Sequence, residues 1–266
     1  MTIHPPWLRF QAYVVGLPKT GSTSMATLFG NYRTGHEWQL IDLVDLAMAR
    51  HRGEIDDEAF LKAAGRRLVP PSLEMDSATS HCLYADLLAR TFPHAVFMHT
   101  VRDVRSWVSS LLDMSLRKRI GRKIAGLPYT RVEIEYISLR TEGTYDVDRD
   151  DREDDRAALP PMMRFWASHI REMAAVLPPD RSLRLRNRDI ASRLPQIAAL
   201  AGVPASTLRA DLSHSNRAPL RFDRFAAFVS RRPDDEEGSL AWTTYLESVR
   251  TWAADAVARH GPGVTR

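Results

Sequence analysis

The stretch Phe10–Thr23 reads FQAYVVGLPKTGST, and it decides the fold class. Phe10–Gly16 is a short run centred on Tyr13, Val14 and Val15, the composition of a buried strand. Leu17–Gly21 is turn-like. From Ser22 a helical pattern begins, with Met25, Leu28 and Phe29 recurring at spacings of three and four, and Gly30–Gly35 closes it. A strand, a tight glycine-bearing turn and a helix in that order form the opening of a βαβ unit.

The rest of the chain repeats the alternation. Helices are predicted over Leu40–Arg50 and Asp56–Leu68, with Pro70-Pro71 as a stop. A short strand over Leu73–Asp76 and a helix over Ser80–Arg90 follow. Ala95–Val101 (AVFMHTV) is a second strong strand and feeds a helix over Val104–Arg119. Pro160-Pro161 starts a helix running to about Leu177, Ser182–Leu185 is another strand, and Leu194–Ala201 is a helix ended by Gly202. Ser239–Ala258 is an amphipathic helix with Trp242, Tyr245, Val249 and Trp252 on one side, read as core packing. Strands alternating with helices predict an α/β fold of three layers, a central mostly parallel sheet flanked by helices. Residues 1–266 are read as a single domain, with a mobile insert or lid around 124–159 that contains the charge-dense stretch Asp146–Arg156.

Composition narrows the functional classes. Lys+Arg number 37 against 33 Asp+Glu, a net charge of +4, and 44% of residues are hydrophobic, as in globular domains. No apolar run approaches the ~20 residues needed to span a bilayer, and Met1–Gln11 carries no secretory pattern, so a cytoplasmic protein is expected. Cys82 is the only cysteine, which excludes an intrachain disulfide and a cysteine zinc cage. The positive charge is almost all arginine, since the lysines are Lys19, Lys62, Lys118 and Lys123. Arginine forks suit phosphates and sulfates. Acidic residues are interspersed through the basic segments, which argues against a nucleic-acid stripe.

Gly16 to Thr23 sits between strand and helix, where successive amides make an anion site. Gly16 and Gly21 have the spacing of a nucleotide triphosphatase P-loop, yet Ser22 follows Gly21 and the lysine comes earlier, at Lys19. A P-loop lysine reaches β- and γ-phosphates beside a Mg²⁺ ion. A lysine at the loop's crown suits a shorter phosphosulfate group and needs no metal. A P-loop NTPase or small-molecule kinase using ATP–Mg²⁺ is the alternative reading.

At this point the sequence resembles the sulfotransferases that use 3′-phosphoadenosine 5′-phosphosulfate (PAPS). Pro18, Lys19, Thr20, Gly21, Ser22, Thr23 and Ser24 are similar to their phosphosulfate-binding loop, of form P-[KR]-[ST]-G-[ST]-[ST]. The resemblance also implies an arginine at the end of a later strand and a serine eight residues on, gripping the 3′-phosphate. Arg102 and Ser110 stand at those places. Val104 replaces the proline common in relatives. The late strand, helix and Gly202-Val203-Pro204 turn resemble the family's C-terminal pattern. The loop Ser213–Pro219 then implies nucleotide contacts from Asn216 and Arg217.

The activity this resemblance implies is transfer of a sulfuryl group from PAPS to a hydroxyl or amine of a small organic acceptor, releasing 3′-phosphoadenosine 5′-phosphate (PAP). Lys19 would stabilise the charge on the leaving phosphate, and a general base would take the acceptor's proton. Glu37 is ranked first for that base, because several bacterial and carbohydrate sulfotransferases place a glutamate in this region. His36 is second and Asp76 third, and a His36–Glu37 hydrogen bond is an expected arrangement. Glu74 and His81 lie near Asp76, although Ser80 separates Thr79 from His81 where cytosolic relatives join threonine directly to histidine. The nine histidines show no metal-ligand spacing, so no metal is expected. The expected partners are the small-molecule acceptor and, at most, further copies of this chain in a homo-oligomer; neither nucleic acid nor membrane is expected. Specificity is assigned to Gln39–Ala49 and Ile124–Leu159. Trp38, Tyr129 and Tyr136 are read as core residues with a second use as flanks of an aromatic or lipid-like acceptor.

Overall fold

Strand β1 (Ala12–Val15) is buried along its whole length, and its alternating side chains feed two cores. The computed structural model describes residues 8–38, 40–65, 68, 73–125, 137, 138, 140, 141, 143, 155–210 and 251. Within them run α1 (Ser22–Leu28), β2 (Thr34–His36), α2 (Leu40–His51), α3 (Asp57–Ala64) and β3 (Met75–Ser77). There follow α4 (Ala85–Thr91), β4 (Val96–Val101), α5 (Val104–Ala125), α6 (Leu159–Val176), β5 (Ser182–Arg186) and α7 (Leu194–Ala201). The strands form one sheet in the order β2-β3-β1-β4-β5, and every pairing is parallel. Three layers around a parallel sheet are the architecture the alternation predicted.

The chain divides into two compact units, Met1–Asp103 with Ser168–Arg217, and Val104–Ala167 with Ala218–Arg266. The first holds the whole sheet. On one sheet face Tyr13, Val15 and Phe97 pack with Leu43 and Ala47 of α2, Phe60 of α3 and Leu88 of α4. On the other, Ala12, Val14 and Met98 pack with Met25 and Leu28 of α1 and Ile197 and Ala201 of α7. Fully burying one such large side chain stabilises the fold by about 1.5–3 kcal/mol. Asp56 caps α3 by accepting the Ala59 amide at 2.7 Å, and Gly202 ends α7 at φ 66°. Arg181 donates to the carbonyls of Ala89, Phe92 and Ala95, closing the exit of α4. In the second unit α5 buries Trp107, Val108 and Leu111, and Trp107 meets Phe165 edge-on at 6.0 Å.

The structure departs from the sequence reading at several elements. Residues 30–35, taken as the close of the first helix, instead enter β2, a three-residue strand pairing with β3 from Thr34↔Met75 to His36↔Ser77. The helix expected from Ser80 begins as a 3₁₀ turn, Thr79–Leu83, before α4. The helix expected to reach Leu68 ends at Ala64, with Gly65 as its C-cap, and α5 runs on to Ala125. Asn216, Arg217, Tyr129, Tyr136, the Ser213–Pro219 loop and most of Asp146–Arg156 lie outside the described residues. So do nearly all of Ser239–Ala258 and the greater part of 124–159.

Glu74, just before β3, ties the N-terminal segment to the sheet. Arg9 donates Nε–H and Nη2–H to its two oxygens, each at 2.7 Å, and the Arg33 amide adds a bond at 3.2 Å. Burial alone would raise this carboxyl; the Arg9 fork and the backbone amides of Arg33 and Arg9 overcome it and hold it down at about 2. An unfolded glutamate titrates near ~4.3, so this contribution is present above that pH and is lost as pH falls toward 2. Glu74→Gln is expected to lower stability by about 1–2 kcal/mol at neutral pH, after discounting for the solvent around Arg9. Urea titrations from pH 7 to pH 2.5 should find the gap between wild type and variant closing below pH 4.5. A gap independent of pH would refute the assignment.

Candidate functional site

In an open parallel sheet, ligands bind beyond the carboxyl ends of the strands, where the connections run off in opposite directions. Here that place is beside β1. Its next connection leads to β2 at one edge, and β4 lies on its other side. Both signatures of the sequence reading, the loop after β1 and the arginine after β4, emerge at this crevice.

The loop is shaped by a close approach. A Cβ on Gly16 would lie 2.3 Å from Thr100 Oγ1, 2.6 Å from the Thr100 carbonyl oxygen and 2.7 Å from Thr20 Oγ1. Only glycine lets β1 leave so close to β4. Thr20 is buried, its hydroxyl donating to the Leu17 carbonyl at 2.6 Å and meeting Thr100 Oγ1 at 2.9 Å. Its side chain therefore braces the turn. Gly21 takes φ 116° and opens α1. The first intrahelical bond is Met25 N–H to the Gly21 carbonyl, so the amides of Ser22, Thr23 and Ser24 are the donors a helix start leaves over. Pro18 is buried and Lys19 half-buried at the turn's crown. Arg102 reaches the same crown, donating Nη1–H to the Lys19 carbonyl at 3.3 Å. Ser110 lies two turns into α5 and is half-buried.

Among the described residues two non-glycine residues hold positive φ, Lys19 at 69° and Glu37 at 54°. Each costs roughly 1–2 kcal/mol relative to an ordinary backbone, and such strain concentrates at functional sites. Lys19 and Glu37 are also the pair first ranked from the sequence as cation and base.

Glu37 directly follows β2. Its amide donates to the Ser77 carbonyl at 3.0 Å, and its carboxylate accepts the Thr79 amide at 3.2 and 3.3 Å and the Thr79 hydroxyl at 3.4 Å. Burial raises its pKa, opposed by the Thr79 amide and by His36. His36 is exposed, and its Nε2 lies 3.2 Å from Thr23 Oγ1 on the first turn of α1. The His36–Glu37 hydrogen bond is not formed: His36 ends β2 and meets Thr23, while Glu37, beyond the strand at φ 54°, turns its carboxylate to Thr79.

The other candidate bases are committed elsewhere. Glu74 carries the Arg9 fork. Asp76 and His81 are both buried, with His81 Nδ1 2.9 Å from the Val14 carbonyl oxygen and Nε2 3.3 Å from Asp76 Oδ2. Both ring nitrogens of His81 thus face oxygen atoms; burial disfavours the charged ring, Asp76 outweighs it, and the pKa of His81 is raised. Asp76 Oδ1 is buried without a hydrogen-bond partner, beneath Gly35. Among the described residues no group of three or more His, Cys, Asp or Glu side chains could hold a metal ion, and no helix is long and apolar enough to cross a membrane.

The family model described as Sulfotransferase domain matches residues 12–191, well over half of the chain. The chain belongs to the sulfotransferase family. Its chemistry is sulfuryl transfer, and the matched span runs from β1 past the end of β5. Solved structures similar to this sulfotransferase include the sulfotransferase STF9 from Mycobacterium avium, at 13% identity and TM-score 0.46, covering 91% of this chain and 77% of that one. A sulfotransferase from Alicyclobacillus acidocaldarius matches at 12% identity and TM-score 0.42, covering 94% and 96%. The sulfotransferase domain from the curacin biosynthetic pathway matches at 14% and 0.42, covering 94% and 98%. No curated protein sequence matches the chain.

Three residues of this sulfotransferase's site were missed from the sequence. Thr79 holds Glu37, Thr100 braces the loop, and Asn187, just after β5, lies with Ile190 against Gly21. None belongs to a local pattern; their one sequence signal is position, at or just beyond the end of a predicted strand. The close approach at Gly16 makes a direct prediction. Gly16→Ala places a methyl group against backbone that cannot turn aside, and is expected to cost about 1–3 kcal/mol of stability and to displace the loop. Thermal unfolding checks this, and an unchanged midpoint would show that the approach is looser than described.

Proposed function

We propose that this sulfotransferase moves the sulfuryl group of PAPS to a hydroxyl of a small organic acceptor, with Lys19 as the cation at the leaving phosphate and Glu37 as the general base. The observation that carries the reading is the left-handed backbone shared by Lys19 and Glu37, with Lys19 at the loop crown where Arg102 meets its carbonyl. The acceptor's O–H proton passes to Glu37 as the new O–S bond forms. The donor's S–O bond breaks, and PAP leaves with its charge beside Lys19 and the amides of Ser22, Thr23 and Ser24. Pro18, Thr20 and Gly21 give the loop its shape. Arg102 and Ser110 take the 3′-phosphate, as the family resemblance implies, and Arg217 joins them. His36, bonded to Thr23, links the acceptor side to the donor loop and is the second candidate for the base. Because the family match, residues 12–191, takes in Val104–Ala167 of the second unit together with most of the first, we read residues 1–266 as one functional domain, with 39–49 and 124–159 setting acceptor preference. The reaction needs no metal, and a cytoplasmic site with free PAPS suits it.

Calorimetry with PAP and with ATP–Mg²⁺ tests the donor. Metal-independent PAP binding is expected; tight ATP–Mg²⁺ binding alone would overturn the reading in favour of a kinase. Lys19→Ala is expected to lower kcat by about 10²–10³ and Glu37→Gln by about 10²–10⁴, each without loss of the fold by circular dichroism. Since burial raises Glu37 and the base acts deprotonated, the rate should fall on the acid side with a midpoint above the ordinary carboxylate range. Glu37→Gln should flatten that limb. An acid limb unchanged in the variant would move the base to another residue.

A further inference from the structure

Ser77, the last residue of β3, is fully buried and takes no part in the chemistry assigned above, yet it touches both halves of the site. Its register partners are Val14 on β1 and His36 on β2. Its hydroxyl donates to the Ser22 carbonyl at 2.8 Å, and its own carbonyl accepts the Glu37 amide at 3.0 Å. The Ser22 carbonyl belongs to the same planar peptide unit as the Thr23 N–H. That N–H is one of the donors the start of α1 leaves over. A hydrogen bond at the carbonyl fixes the plane of the unit and polarises its N–H, which strengthens it toward an anion. A second contact runs the same way: Thr23 Oγ1 lies 3.2 Å from His36 Nε2, one residue before Glu37.

On the reading that PAPS binds at the β1 loop and Glu37 is the base, we propose that Ser77 is a positioning residue that transmits donor occupancy to the turn carrying Glu37. An anion at the Thr23 N–H draws its peptide unit into one orientation. The Ser77 hydroxyl, bonded to the far side of that unit, is held with it, and the Ser77 carbonyl in turn holds the Glu37 amide. The left-handed backbone at Glu37 is costly to keep, so this turn is where an added restraint has an effect. Coupling of this kind is reciprocal. The donor binds better when the turn is closed, and the turn opens less often when the donor is bound. For the reaction this sets an order of events: the seated donor steadies the base before the acceptor's proton moves.

Hydrogen exchange resolved to single amides, with the full chain and PAP as the probe, tests the link. In wild type, saturating PAP is expected to slow exchange of the Glu37 amide at least about tenfold. In Ser77→Ala, PAP should bind within about threefold of wild type by calorimetry and still slow exchange at Ser22–Ser24, while its effect at Glu37 falls below about twofold. The Phe60 amide, bonded to the Asp56 carbonyl at the start of α3, should exchange alike in both proteins, which a general loosening of the fold would not allow. Ser77→Cys keeps the shape with a weaker donor and should give an intermediate slowing; it carries the test if the alanine variant does not fold. Equal slowing at Glu37 in wild type and variant would overturn the proposal. So would PAP binding to wild type with no slowing at Glu37, a result that leaves the donor assignment standing. A wild-type chain that binds no PAP would bring down the donor assignment and this proposal with it.

Discussion

The approach of Gly16 to Thr100 is the constraint on which the site depends. Parallel pairing brings β1 and β4 together up to Val15↔His99, one residue short of the point where a side chain on β1 would collide with the partner strand. A glycine there lets the chain turn over the sheet edge instead of being pushed away from it. The buried Thr20–Thr100 contact then fixes the turn. Lys19 is carried to the crown in a left-handed conformation, and Arg102, the next residue beyond β4, meets its carbonyl. The shape of such a turn is a backbone property, set by where the amides lie rather than by any single side chain.

The second half of the site is organised in the same manner from the other side of β1. Ser77, the last residue of β3, donates its hydroxyl to the Ser22 carbonyl and accepts the Glu37 amide through its own carbonyl. One residue thus pins both the start of α1 and the turn that carries Glu37. Strain at Lys19 and strain at Glu37 follow two strands of a single sheet, β1 and β2, which flank β3. The cost of each is met by parallel pairing and by two hydrophobic layers. Neither residue would keep its conformation on an isolated loop.

What the sequence made legible follows from where the information resides. The strands β1 and β4 are dictated locally by β-branched and aromatic runs, β5 by the alternation of leucine and arginine in SLRLR, and the helix α7 by the Gly202 stop, and they emerge close to the expected places. Thr34–His36 carries no such run. It becomes a strand because β3 offers a parallel partner and because Gly35 allows Leu73 to pack close beneath it, a tertiary cause outweighing local propensity. The loop was legible because glycine spacing and a displaced lysine are local facts. The roles of Thr79 and Thr100 were not, since their contacts to Glu37 and Thr20 span 42 and 80 residues. Trp38, 45% exposed, misled for the converse reason: composition places tryptophan inside, and only the turn at Glu37 leaves it outside.

Three carboxylates cluster around β2 and β3, and the contrast among them explains why one can act as a base. Glu74 is forked by Arg9 and held at about 2, so it stays ionised and inert across the physiological range. Asp76 is spent on the buried His81 ring beneath the β1 strand, where an acceptor would have to displace packed side chains to reach it. Glu37 has no arginine fork; threonine donors orient it, and burial raises its pKa against them. It alone of the three combines orientation, partial access and a proton affinity that can change during turnover. Environments that push neighbouring carboxylates apart are how a fold can set one of them aside for acid–base work. Here the three environments are made by an arginine at residue 9, a histidine at residue 81 and a threonine at residue 79, and on the proposed reading they leave Glu37 as the base.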